Sequence, residues 1–152
     1  VYKRQDVDSV VADYAACGIE ARVEAFIEDM AAAYAWADVV ICRAGALTVA
    51  ELAVVGVASV LVPFPHATDD HQTANARFLA DAGAAILLPQ ASMTADKLAG
   101  LLADFLAQRG MLEEMADRAY ELALPDAARR VATRCLQAAG IDTRSLNTET
   151  AA

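Results

Sequence analysis

The stretch 38–51, DVVICRAGALTVAE, constrains the fold of this chain more than any other: an apolar strand, a glycine loop and a helix follow one another directly. The spacing predicts a buried strand over Asp38–Cys42 and a helix that opens on Leu47-Thr48, with a carboxylate at Glu51. A strand that runs into a helix N-terminus aims unpaired backbone N–H groups, and the positive end of the helix dipole, at one point. That point suits a phosphate. Glu51, three residues after Thr48, is placed where a carboxylate accepts two hydrogen bonds from a ribose diol. An equally simple reading is an ordinary βα turn with a capping-box acid at the third helical position.

The rest of the chain repeats the alternation. Val7–Cys17 reads as a helix ended by Gly18, Ala21–Phe26 as an alternating strand, and Asp29–Ala37 as a short helix. Leu47–Val55 is a helix stopped by Gly56. Ser59–Pro63 is apolar throughout, as in strands covered on both faces. The loop PHATDD leads into a helix from His71 to Ala82, closed by Gly83; Ala84–Leu88 is a fourth strand, ended by Pro89. Thr94 caps a helix to Gln108, Gly110 breaks it, and Met111–Leu122 and Asp126–Ala139 supply two more. Four strands with intervening helices predict an α/β lobe, a Rossmann-like parallel sheet covered by helices.

Composition narrows the function. A hydrophobic share of 57% against 22% charged describes a globular chain. A net charge of −9 argues against nucleic acid or an anionic membrane surface as the main partner. It leaves open an anionic nucleotide held by backbone dipoles. Cys17, Cys42 and Cys135 are widely spaced and fit reduced thiols in a cytosolic core, not disulfides or zinc ligands. Leu52–Phe64 is too short, and too interrupted at Gly56, to span a bilayer. The first five residues, VYKRQ, do not continue the pattern that follows. Their back-translation with common codons resembles a sequencing-adapter end, so residues 1–5 are expected to be adapter-derived and residue 6 not a natural beginning. The expected lobe is then 6–140, followed by a polar, frayed tail over 141–152.

Ligands of such sheets bind beyond the C-terminal strand ends. Three loops should meet there: the one after Phe26, the one holding Arg43–Ala46, and the one from Phe64 to His71. Asp69–Gln72, DDHQ, tempts a metal reading, but consecutive residues rarely converge on one ion. Capping by Asp69 or Asp70, with His71 and Gln72 facing a sugar, is the more natural expectation. Asn75 either faces the same way or packs, and His66 is as readily a loop histidine as a functional one. Trp36 and Phe26 read as core, with stacking on a base as the alternative for Phe26. Cys42 is expected to be buried, with no acid–base pair to make it a nucleophile.

Two segments, AFIEDMAAAYAWADVVICRAGALTVAEL and VLVPFPHATDDHQTANARFLADAGAA, closely resemble the C-terminal domain of the MurG family, bacterial N-acetylglucosaminyltransferases of peptidoglycan synthesis. The similarity covers nearly all of residues 6–140. It implies the C-terminal lobe of a GT-B glycosyltransferase, two Rossmann-like lobes with the active site in the cleft between them. The implied reaction transfers GlcNAc from UDP-N-acetylglucosamine to lipid I, giving lipid II with inversion, on the cytoplasmic face of the inner membrane. No cofactor and no metal are implied.

The same resemblance assigns roles. Ile27 holds the uracil edge through its backbone, with Phe26 packing beside the base. Ala46, Leu47 and Thr48 present backbone N–H groups and the Thr48 hydroxyl to the pyrophosphate, with Val49 and Ala50 continuing the run to Glu51, which binds the ribose. Gln72, with His71 beside it, reads the GlcNAc ring; Ala44 stands where other members carry serine. The acceptor site, the candidate general base and the peripheral membrane-docking patch lie upstream in the family, in an N-terminal lobe. No catalytic residue is therefore expected in this chain, lipid I and the membrane are reached only through that lobe, and the chain alone is expected to have no turnover. The rival expectation is a stand-alone nucleotide-sugar-binding subunit that needs a separate acceptor-binding partner.

Overall fold

The computed structural model describes residues 7–66 and 68–141, so the expectations for residues 1–5 and for the tail from 142 onward lie outside the described residues. The chain divides into two compact units, Val1–Trp36 and Ala37–Ala152. The first contains helices α1 (Val7–Ala16) and α2 (Met30–Trp36). Gly18 ends α1 with φ of 67°, and Asp29 caps α2 by accepting the Ala32 N–H at 2.9 Å. Ala21–Phe26 forms no strand, which corrects one expected element. Its alternation is real, and Arg22 and Glu24 meet as an ion pair at 2.6 Å. However, its only partly buried side chain is Val23, and a strand without ladder partners has nothing to satisfy its backbone. Phe26 and Trp36, read as core, are 75% and 88% exposed.

The second unit holds the sheet. Strands β1 (Val40–Cys42), β2 (Ser59–Leu61) and β3 (Ala85–Leu87) pair in parallel in the order β1-β2-β3, with Val40 opposite Ser59 and Ser59 opposite Ala85. The fold class stands as expected, with three strands where four were read. Helix α3 (Ala46–Val55) links β1 to β2, and α4 (His71–Ala80) links β2 to β3. Helices α5 (Ala95–Ala107), α6 (Arg109–Glu121) and α7 (Ala127–Ala138) follow.

The period of two along β2 divides its side chains between the two faces of the sheet. On one face Ala58, Val60 and Val62 form a buried cluster with Leu88, Phe105 and Met115, flanked by Leu101, Leu102, Met111 and Leu112 of α5 and α6. On the other, Ser59 and Leu61 are fully buried, and so are Leu52 of α3 and Leu79 of α4. Thr94 caps α5 as expected, accepting the Lys97 N–H at 3.2 Å, a bond of about 1 kcal/mol. Gly110 does not break the helix. It sits in the first turn of α6, and the break falls at Gln108, whose φ of −130° and ψ of 66° leave the helical region.

Candidate functional site

Helix α3 begins at Ala46, one residue before the expected start, because Gly45 is its N-cap, in extended conformation. Glu51 is therefore the sixth helical residue and not the third, which removes the capping-box reading. Gly45 offers no side-chain cap, and its carbonyl accepts the Val49 N–H at 2.9 Å. The N–H groups of Ala46, Leu47 and Thr48 precede that first helical bond and point out from the sheet's C-terminal edge. Leu47 is 79% exposed. Ala46, Ala50 and Glu51 are also exposed, Thr48 is half-buried, and the Val49 side chain is packed inward. The turn thus presents backbone donors, with a hydroxyl and a carboxylate along one side.

The loop after β2 reaches the same edge. Asp69 and Asp70 both take left-handed backbone angles, φ 54° and 52°. Asp70, the N-cap of α4, makes no side-chain bond to the helix amides, contrary to expectation. Instead Asp70 Oδ1 accepts from the Thr73 hydroxyl at 2.6 Å. His71 is exposed and Gln72 half-buried at the start of α4. The Phe64 N–H donates to Gln72 Oε1 at 2.9 Å. Asn75, left open between ligand and packing, donates from Nδ2 to the Ala44 carbonyl at 3.1 Å and so joins α4 to the loop after β1.

Arg43 and Phe64 were not singled out as site residues by their spacing. Arg43 Nη1 donates to the carbonyls of Val62 at 3.3 Å and Pro63 at 3.1 Å, and its guanidinium lies 5.4 Å from the Phe64 ring centre. His66 packs edge-on against the same ring at 5.6 Å. One signal was present: Arg43 is the lone cation of segment 38–51. Ala46 and Asn75 also border a groove of about 400 Å³ between α3, α4 and the start of α7, walled by Val54, Phe78, Leu122 and Leu124. Its walls are too apolar to hold a pyrophosphate.

Of the three cysteines, Cys17 and Cys135 are exposed, which corrects their placement in the core; Cys42 is half-buried at the end of β1. Burial pushes the Cys42 thiol up to about 11, so it is neutral beside the helix terminus. Phe26 and Ile27 belong to the first unit, where both are exposed.

The model of the glycosyltransferase family 28 C-terminal domain matches residues 1–131. A curated relative from Azoarcus sp. is 60% identical over 86% of this chain and 36% of its own length. One from Dechloromonas aromatica is 56% identical over 88% and 37%. Both bear the name UDP-N-acetylglucosamine–N-acetylmuramyl-(pentapeptide) pyrophosphoryl-undecaprenol N-acetylglucosamine transferase. The crystal structure of Acinetobacter baumannii MurG superposes with a TM-score of 0.82 at 49% identity, over 88% of this chain and 40% of that one. The chain spans little more than a third of the length of the curated relatives it matches. By fold, by sequence and by the region matched, it belongs to the glycosyltransferase family 28 C-terminal domain family.

Proposed function

We propose that this chain is the donor-binding part of an inverting transferase that moves GlcNAc from UDP-GlcNAc to lipid I in peptidoglycan synthesis. The observation that carries the reading is the uncapped N-terminus of α3 at the C-terminal edge of the sheet. It has Glu51 along the same helix and Gln72 in the first turn of α4. The N–H groups of Ala46, Leu47 and Thr48 hold the pyrophosphate, Glu51 the ribose hydroxyls, and Gln72 with His71 the sugar. In the first unit, the Ile27 backbone takes the uracil edge and Phe26 the base face. Backbone amides and the helix dipole do this without net positive charge, which reconciles an anionic ligand with a chain of charge −9.

Acceptor binding, proton abstraction and contact with the cytoplasmic face of the inner membrane belong to the part of such transferases that this chain does not match. No helix among the described residues is long and apolar enough to cross a membrane. Calorimetric titration with UDP-GlcNAc and UDP-GalNAc, with Glu51→Ala alongside, tests the donor site. Saturable binding that prefers GlcNAc and is lost in the variant is the expected result; a chain that melts cooperatively yet binds neither sugar nucleotide sinks it. Purified alone, the chain is expected to give no GlcNAc transfer to a lipid I analogue, and detectable transfer would overturn that part.

A further inference from the structure

Of the two polar atoms of a carboxamide only the oxygen accepts a hydrogen bond from a backbone N–H, so the bond from Phe64 N to Gln72 fixes which way the Gln72 carboxamide points. Oε1 is taken up by the Phe64 N–H, which leaves Nε2, the donor end, to meet other partners. Gln72 therefore meets a ligand as a donor. That orientation depends on where Phe64 sits. Phe64 is held in turn by Arg43, which grips the two preceding carbonyls with one nitrogen and sets its guanidinium over the ring, 5.4 Å from the centre. The connection runs from the end of β1, across the end of β2, to the first turn of α4.

We propose that Arg43 is a positioning residue for sugar recognition: it sets the Pro63–Phe64 backbone so that Gln72 presents Nε2, and not Oε1, to a hexose hydroxyl. The proposal rests on the donor-site reading above. A fixed donor distinguishes hydroxyl configurations, because an epimer whose oxygen points elsewhere leaves a desolvated N–H without a partner. Arg43 itself need not touch the ligand. Lysine in its place keeps a cation and a donor for the carbonyls but loses the planar group over the ring.

The test is calorimetric titration of the 152-residue chain with UDP, UDP-GlcNAc and UDP-GalNAc, for the parent, Arg43→Met, Arg43→Lys and Gln72→Glu. Glutamate at 72 still accepts the Phe64 N–H but has no N–H to give, so it separates the ligand contact from the internal bond. Expected are a roughly tenfold fall in the GlcNAc-over-GalNAc preference for Arg43→Met and Gln72→Glu, with partial recovery in Arg43→Lys and a smaller change for UDP. Preference kept at the parent's level in both Arg43 variants would overturn the proposal. So would equal losses for UDP and both sugar nucleotides, which would make Arg43 a general support or a phosphate contact. If Arg43→Met fails to melt cooperatively, Arg43→Lys decides on the same criterion. Failure of the parent to bind any of the three overturns the donor-site reading itself, and the proposal with it.

Discussion

The two ends of α3 are finished differently. At its C-terminus Gly56 takes the left-handed conformation, its N–H donates to the Leu52 and Ala53 carbonyls, and the Val57 N–H donates to Leu52 as well. That is a closed Schellman-type cap, with Tyr120 and the Ala116 carbonyl packed so near that a Cβ on Gly56 would sit 3.1 Å from Tyr120 Cβ. At its N-terminus the glycine cap contributes no side chain, and the first turn faces outward. One end serves stability by satisfying its own backbone groups. The other has no side-chain cap, and the same residue type achieves both because what matters is the missing side chain.

Closing the open end should have the largest effect. Gly45→Asp puts a carboxylate at the N-cap, where an added Cβ meets only the Thr48 hydroxyl at an ordinary 3.4 Å. Helix stability should rise by about 0.5 kcal/mol, while affinity for UDP falls on the order of a hundredfold as like charge occupies the proposed anion site. A thermal melt and a UDP titration of one sample read the two opposite signs; a joint fall in both would break the comparison. Opening the closed end is the converse. Gly56→Ala should cost about 1–2 kcal/mol, from the positive φ and the Tyr120 contact, and leave UDP affinity of the folded chain unchanged.

Smaller effects sharpen the contrast. Asn75→Ala removes the tie to the Ala44 carbonyl and should lower stability by about 1 kcal/mol, near 2–4 °C in Tm, with some loss of UDP affinity because that tie steadies the open turn. Ser59→Ala, just beyond the closed end, should be neutral or slightly stabilising by denaturant melt, since the Ser59 hydroxyl is buried without a partner. Alkylation at pH 8.5 should modify exposed Cys17 and Cys135 well before Cys42, whose raised thiol is poor in thiolate. A fast-reacting Cys42 would put a thiolate four residues before the proposed anion site and contradict the reading.

The order β1-α3-β2-α4-β3 was legible because apolar runs and punctuating glycines carry it. Ser59–Leu61 is buried throughout, and Gly56 stops α3 where its conformation demands. Ala21–Phe26 misled because alternation specifies a face, while a strand also needs a neighbour. Gly110 misled because glycine in a first helical turn breaks nothing. The backbone half of the candidate site, the turn into α3, was legible from one short segment. The side-chain half was less so: the Arg43–Phe64–Gln72 connection joins three segments, and the left-handed pair Asp69-Asp70 has no signature in a residue type that ordinarily caps helices.

The sheet's connectivity also bears on how the chain acquires this arrangement. No two neighbouring strands are joined by a turn; each ladder closes only after an entire helix has been threaded between its members. A hairpin therefore cannot nucleate this sheet, and each ladder forms only with the closure of a loop that contains a helix. The middle strand has neighbours on both edges and packing on both faces, so both ladders depend on it. At the sheet's C-terminal edge the bond from Phe64 to Gln72 is local, eight residues apart, whereas the bond from Asn75 to Ala44 closes a span of 31 residues and carries the larger entropic cost of closure.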